Sequence, residues 1–127
     1  MQETLQIPFR FKEKVEDLAK ELFYCALETS DQQEQLFKNI KDAFFYVSQA
    51  LDCGVCNTKW DQFKTGVKAL KPKLQLDAEA AYNNDPAAKS VKEVYLAYPG
   101  FYAITMYRLS HILWQLDVPV LPRMISE

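Results

Sequence analysis

The sequence predicts an all-α fold, a bundle of about six helices, on three observations. Apolar residues recur three and four positions apart through most of the chain, the spacing of one helical face. Start signals (Pro8, Thr29-Ser30-Asp31, Thr58, Pro72, Asp85-Pro86) and stop signals (Asn83-Asn84, Tyr98-Pro99-Gly100) fall at helix-length intervals. No segment alternates apolar and polar residues over the length of a strand.

The composition is that of a globular domain. Of 127 residues, 49% are apolar and 25% charged, enough to bury a core without a disulfide or metal staple. Fifteen basic and seventeen acidic residues leave a net charge of −2. That balance argues against a nucleic-acid partner, which calls for a basic face. No run approaches the ~20 apolar residues of a membrane span. The first residues, MQETLQIPFRFKEK, have no apolar stretch behind a basic start, so no secretory leader is expected. Three cysteines, an odd number, point to a reducing, cytoplasmic setting.

Each element follows from local pattern. Phe11, Val15, Leu18, Leu22 and Ala26 form one stripe of a first helix that Pro8 could open, with Lys12, Glu13, Glu16, Asp17 and Lys20 opposite. Ser30–Gln33 and Asp31–Glu34 both have capping-box spacing before a second stripe, Leu36, Ile40, Ala43, Phe44, Val47 and Leu51. Phe37 and Phe45 widen that face. The short link between these helices favours an antiparallel pair.

Residues 52–57 (DCGVCN) form a loop carrying Cys53 and Cys56. Reduced thiols beside a glycine turn, a zinc site drawing on Cys25 or His111, and a redox pair are all compatible with that spacing. Thr58 would cap a third helix bearing Trp60, Phe63, Val67 and Leu70, with Gly66 on its other side. Pro72 would end it and open a fourth through Leu74, Ala78, Ala81 and Tyr82.

The richest stretch is Asp85 to His111. Asp85-Pro86-Ala87-Ala88 has the form of a helix start with Asp85 as cap, followed by Val91, Val94 and Tyr95. Gly100 marks the break, after which a last long helix carries Phe101, Ile104, Leu109, Ile112, Leu113 and Leu116. Arg108 and His111, three apart, share a face, and such a pair reads as hydrogen-bonded scaffold rather than catalyst. The apolar tail from Val118 to Ile125 has no obvious cover within the chain.

Taken together, DPAA, then YPGF with Ala103, then YR-L-SH, then LP-RMIS-E resemble the end of the N-terminal helical domain of bacterial serine O-acetyltransferases. The YPG form is closer to the branch with a shorter N-terminal domain than to the enteric type. The motifs cover Asp85 to Glu127, about a third of the chain. Residues 1–84 agree with the family only in being helical.

The resemblance implies a fold and a function. The parent enzyme would continue into a left-handed parallel β-helix of hexapeptide repeats, absent from this sequence. There acetyl-CoA binds and a histidine removes the serine hydroxyl proton, so the 127 residues are expected to hold no catalytic residue, no cofactor and no activity of their own. One site residue carries over: Asp85 would bind the α-ammonium group of L-serine, and by the same chemistry that of L-cysteine, the feedback inhibitor. Arg108, His111 and Gly100 would be structural, and no metal is implied. Implied partners are further copies in a homotrimer or a dimer of trimers, and an O-acetylserine sulfhydrylase. Two other readings stay open on residues alone, a free-standing helical interaction module and a small zinc-binding helical domain using Cys53 and Cys56.

Overall fold

The computed structural model describes residues 11–51, 54–118 and 121–126. The helix opening expected at Pro8, the thiol of Cys53, and Pro119-Val120 of the tail lie outside the described residues. The described chain contains six helices and no strand: α1 (Phe11–Leu27), α2 (Ser30–Ala50), α3 (Asn57–Asn84), α4 (Val91–Ala97), α5 (Pro99–Gln115) and α6 (Leu121–Ser126).

α1 forms as its pattern predicts, with Phe11, Val15, Leu18, Leu22 and Ala26 all buried, joined by Ala19, Phe23 and Cys25. Two residues turn the chain into α2, which packs back against α1. The α2 start differs from expectation. Thr29 occupies the cap position without a side-chain cap bond, and neither capping box forms. Gln33 instead turns inward, and its buried Nε2 donates to the Cys25 carbonyl at 2.9 Å, satisfying an acceptor in the last turn of α1. The core face of α2 is correspondingly rotated. Phe37 is buried with Ile40, Phe44 and Val47, whereas Leu36 and Leu51 are half-buried and Ala43 is exposed. Phe37 wins because an aromatic ring gains more from burial there than Leu36 would. It meets Trp60 edge-on at 6.0 Å, and Phe44 stacks on Phe63 at 5.4 Å, joining α2 to α3.

α3 is one helix of 28 residues, not two. Pro72 lies inside it, fully on the solvent side. A proline within a helix costs about 3 kcal/mol, but Leu70, Leu74 and Ala78 on either side of it are buried in the core. Each buried leucine returns roughly 2 kcal/mol, so continuity is favoured. Thr58 is not the cap, since Cys56 holds that position. Gly66 also reverses its expected role. It faces α5, where a Cβ would lie 2.8 Å from Ile112 Cγ2, so its missing side chain is what lets the two helices approach.

The tail corrects the sequence reading. Val118, Leu121 and Ile125 are buried, and α6 folds back against α5 and α1. Its apolar residues complete the core of this chain. Among the described residues, no helix is long and apolar enough to cross a membrane.

Candidate functional site

Asp85 closes α3 rather than opening the next helix. Its backbone is extended (φ −119°, ψ 105°), and it sits at the C-cap position. Its Oδ1 accepts from the Ala87 amide at 2.9 Å, while its carbonyl accepts from Ala88 at 3.1 Å, folding residues 85–88 into a tight polar turn. The helix expected from Ala87 begins at Val91. Its cap is Ser90, whose Oγ accepts from the Glu93 amide at 3.2 Å. Ser90 and Glu93 have the S-x-x-E spacing of a capping box, the local signal that the Asp-Pro pair had obscured.

The second oxygen of Asp85 is reached from the far end of α4. Tyr98 precedes Pro99, which disfavours the helical conformation, so α4 stops there with Tyr98 at φ −92° and ψ 112°. The Tyr98 hydroxyl donates to Asp85 Oδ2. This donor and the Ala87 amide hold the Asp85 carboxyl below the usual carboxylate range. The same bond pushes the Tyr98 phenol up to about 12. Half-buried Asp85 is thus an ionised carboxylate fixed from two sides.

Gly100 is not the break. It lies in the first turn of α5, directly after Pro99 at the helix start, with open space where a side chain would stand. The break is made by Tyr98-Pro99.

Arg108 and His111 part company. Arg108 reaches back to α3, its Nε donating to Asp77 Oδ2 at 2.7 Å and its Nη2 to Asp77 Oδ1 at 3.0 Å. This two-pronged pair raises the guanidinium pKa further and fastens α5 to the last turns of α3. His111 instead lies exposed, stacked on Tyr107 at 6.0 Å and Trp114 at 5.6 Å. Among the described residues its contacts are aromatic, without the expected hydrogen bond. Sequence reasoning missed Asp77 and the hydroxyl of Tyr98. Asp77 carries no local signal, since its partner is 31 residues away.

The two described cysteines lie in different settings. Cys25 is buried, and its thiol is pushed up to about 12 by that burial and by nearby Glu28, Glu21 and Glu34. Cys56 is exposed at the start of α3, where the Lys59 amide lowers its thiol pKa. Among the described residues, no three His, Cys, Asp or Glu side chains gather as a metal site.

Comparison with known proteins supplies the context. A protein of Synechococcus elongatus is 45% identical over 65 residues, which is 51% of this chain and 20% of that protein. One from Mycobacterium tuberculosis is 43% identical over 51 residues, 40% of this chain and 22% of its own length. One from Bacillus subtilis is 39% identical over 54 residues, 42% of this chain and 25% of its own. All three are serine acetyltransferases. The chain spans only about a fifth to a quarter of the length of these serine acetyltransferases. Their likeness to it covers 40% to 51% of its residues, more than the third over which the motifs were read. No family model matches the chain.

Proposed function

We propose that these residues form the N-terminal helical domain of a serine O-acetyltransferase, which transfers the acetyl group of acetyl-CoA to L-serine in cysteine biosynthesis. The observation that carries this reading is the 37% to 45% identity to serine acetyltransferases. In this reading the domain contributes Asp85 to the serine site and provides surface for assembly. A carboxylate already ionised and already oriented binds an ammonium group at little entropic cost and positions the neighbouring hydroxyl for attack on the thioester. The base that removes the hydroxyl proton belongs to a part of the enzyme outside these residues, as does the acetyl-CoA site. L-cysteine, with the same amino-acid moiety, would occupy the same carboxylate. Exposed Tyr24, Tyr46, Tyr107 and Trp114 support a role in self-association, as a trimer or a dimer of trimers. A sulfhydrylase partner and a cytoplasmic location belong to the same reading.

Steady-state kinetics test it. In a full-length enzyme carrying this segment, Asp85→Asn should raise the serine KM roughly tenfold or more while leaving that for acetyl-CoA in place. The 127-residue chain alone should release no CoA from acetyl-CoA and serine. An unchanged serine KM accompanied only by a lower Tm would reduce Asp85 to a turn residue.

A further inference from the structure

Among the described residues Asp85 is tethered by one side chain, and that tether is a phenol. Its Oδ1 accepts from a backbone amide, Ala87, and its Oδ2 from the Tyr98 hydroxyl. Each carboxylate oxygen offers two lone pairs, so both bonds together leave one acceptor direction on each oxygen. Among the described residues no cationic side chain pairs with Asp85, so none of them neutralises its negative charge. A lysine or arginine in place of Tyr98 would have fixed the carboxylate equally well and cancelled its charge. A neutral phenol fixes it and leaves the charge for a ligand.

Tyr98 is itself held in place. Pro99 confines its backbone to the extended region, and α5 begins at once behind it. Further along α5, the Arg108–Asp77 pair fastens that helix to α3, the helix that ends in Asp85. Donor and acceptor are therefore presented by two helices that are clasped to one another.

We propose that Tyr98 is a positioning residue for substrate binding, its hydroxyl fixing the Asp85 carboxylate in the orientation that receives the ammonium group of an amino-acid substrate. This rests on the reading of Asp85 as the ammonium-binding carboxylate. Tyr98 touches the carboxylate and not the reacting atoms, so its removal acts through Asp85. The rotamer is released, and the carboxylate protonates at a higher pH.

The test uses a full-length serine acetyltransferase carrying this segment, with Tyr98→Phe, Asp85→Asn and the double variant. Tyr98→Phe should raise the serine KM roughly three- to tenfold and leave kcat and the acetyl-CoA KM unchanged. Asp85→Asn should raise the serine KM further, and adding Tyr98→Phe to it should change little. If Asp85→Asn raises the serine KM and Tyr98→Phe alone does not, the role of Tyr98 is refuted and that of Asp85 stands. If neither variant moves it, both fall. A lower Tm for Tyr98→Phe without the KM split would make the bond merely structural and overturn the proposal. A measurement on the unmodified 127-residue chain needs no variant to fold: carboxyl and ring carbon NMR titrations should show Asp85 below, and Tyr98 above, their ordinary pKa values. Ordinary values for both would show that the bond is not made in solution, which also refutes the role.

Discussion

Substituting Gly66 by alanine sets two effects of known size against each other. Within a helix, Gly→Ala is favourable by about 1 kcal/mol, because alanine loses less backbone freedom on folding. Here the new Cβ would lie 2.8 Å from Ile112 Cγ2, 3.3 Å from its Cδ1 and 3.5 Å from its Cγ1. Carbon atoms pack at about 3.5–4.0 Å, so the first contact is strongly repulsive. The offending atom is the γ-methyl of a β-branched residue on a helix, whose χ1 has essentially one setting, so it cannot swing aside. Overpacking of this kind costs about 1–3 kcal/mol. The clash wins, and the net loss should be about 1 kcal/mol. For 127 residues the unfolding entropy is on the order of 270 cal/mol/K, which makes that loss about 4 °C in Tm. The decisive comparison is the cycle with Ile112→Ala, which removes all three atoms. In that background Gly66→Ala should stabilise by about 1 kcal/mol, so the effect changes sign. Thermal and urea unfolding followed by circular dichroism on the four proteins reads this directly. Additive effects, or a stabilised Gly66→Ala in the parent chain, would refute the close approach of α3 and α5.

Arg108→Lys keeps the charge but loses the two-pronged geometry with Asp77, and should lower stability by about 1–2 kcal/mol, as should Asp77→Asn, with the double variant clearly less than additive in urea unfolding. The Asp85–Tyr98 bond should leave a pH signature at both ends. Because the Asp85 pKa is lowered by folding, its contribution is present above the ordinary carboxylate value of about 3.9 and is lost as pH falls through the folded value. Because Tyr98 is pushed up to about 12, its contribution is present below the ordinary phenol value of about 10 and is lost between there and about 12. Melting curves of the parent chain and Tyr98→Phe should therefore differ between these limits and converge beyond them. Iodoacetamide at neutral pH should alkylate Cys56 and spare Cys25 until the chain unfolds, as read by peptide mass spectrometry, since one thiol is exposed with a lowered pKa and the other is buried with a raised one.

What was legible in the sequence is what depends on local periodicity. The α1 stripe needed only spacing, and all five of its residues are buried. The face of α2 was displaced by one position because Leu36 and Phe37 are both apolar, and only the location of Trp60 decides between them. Pro72 was read from its local cost, but its neighbours Leu70 and Leu74 outweigh that cost only once the core is known. The tail looked uncovered because α5 and α1, which cover it, are distant in sequence. At the candidate site, Asp85 was singled out by motif while its local role was misjudged, and Ser90–Glu93 was the better guide to the helix start. The partners of Asp85 and Arg108 lie 13 and 31 residues away, beyond the reach of any local pattern.

α3 and α5 meet at three successive stations: Gly66 with Ile112, Asp77 with Arg108, and Asp85 with Tyr98. Two rods joined at one point can scissor, and two rods joined at three behave as a braced frame. At 1.5 Å per residue the first and last stations on α3 stand roughly 28 Å apart, a long arm over which a small tilt at one end becomes a large displacement at the other. The steric contact at Gly66 therefore sets the aim of a carboxylate far from it. On the proposed reading of Asp85, remote substitutions along this frame should alter serine affinity without touching the serine.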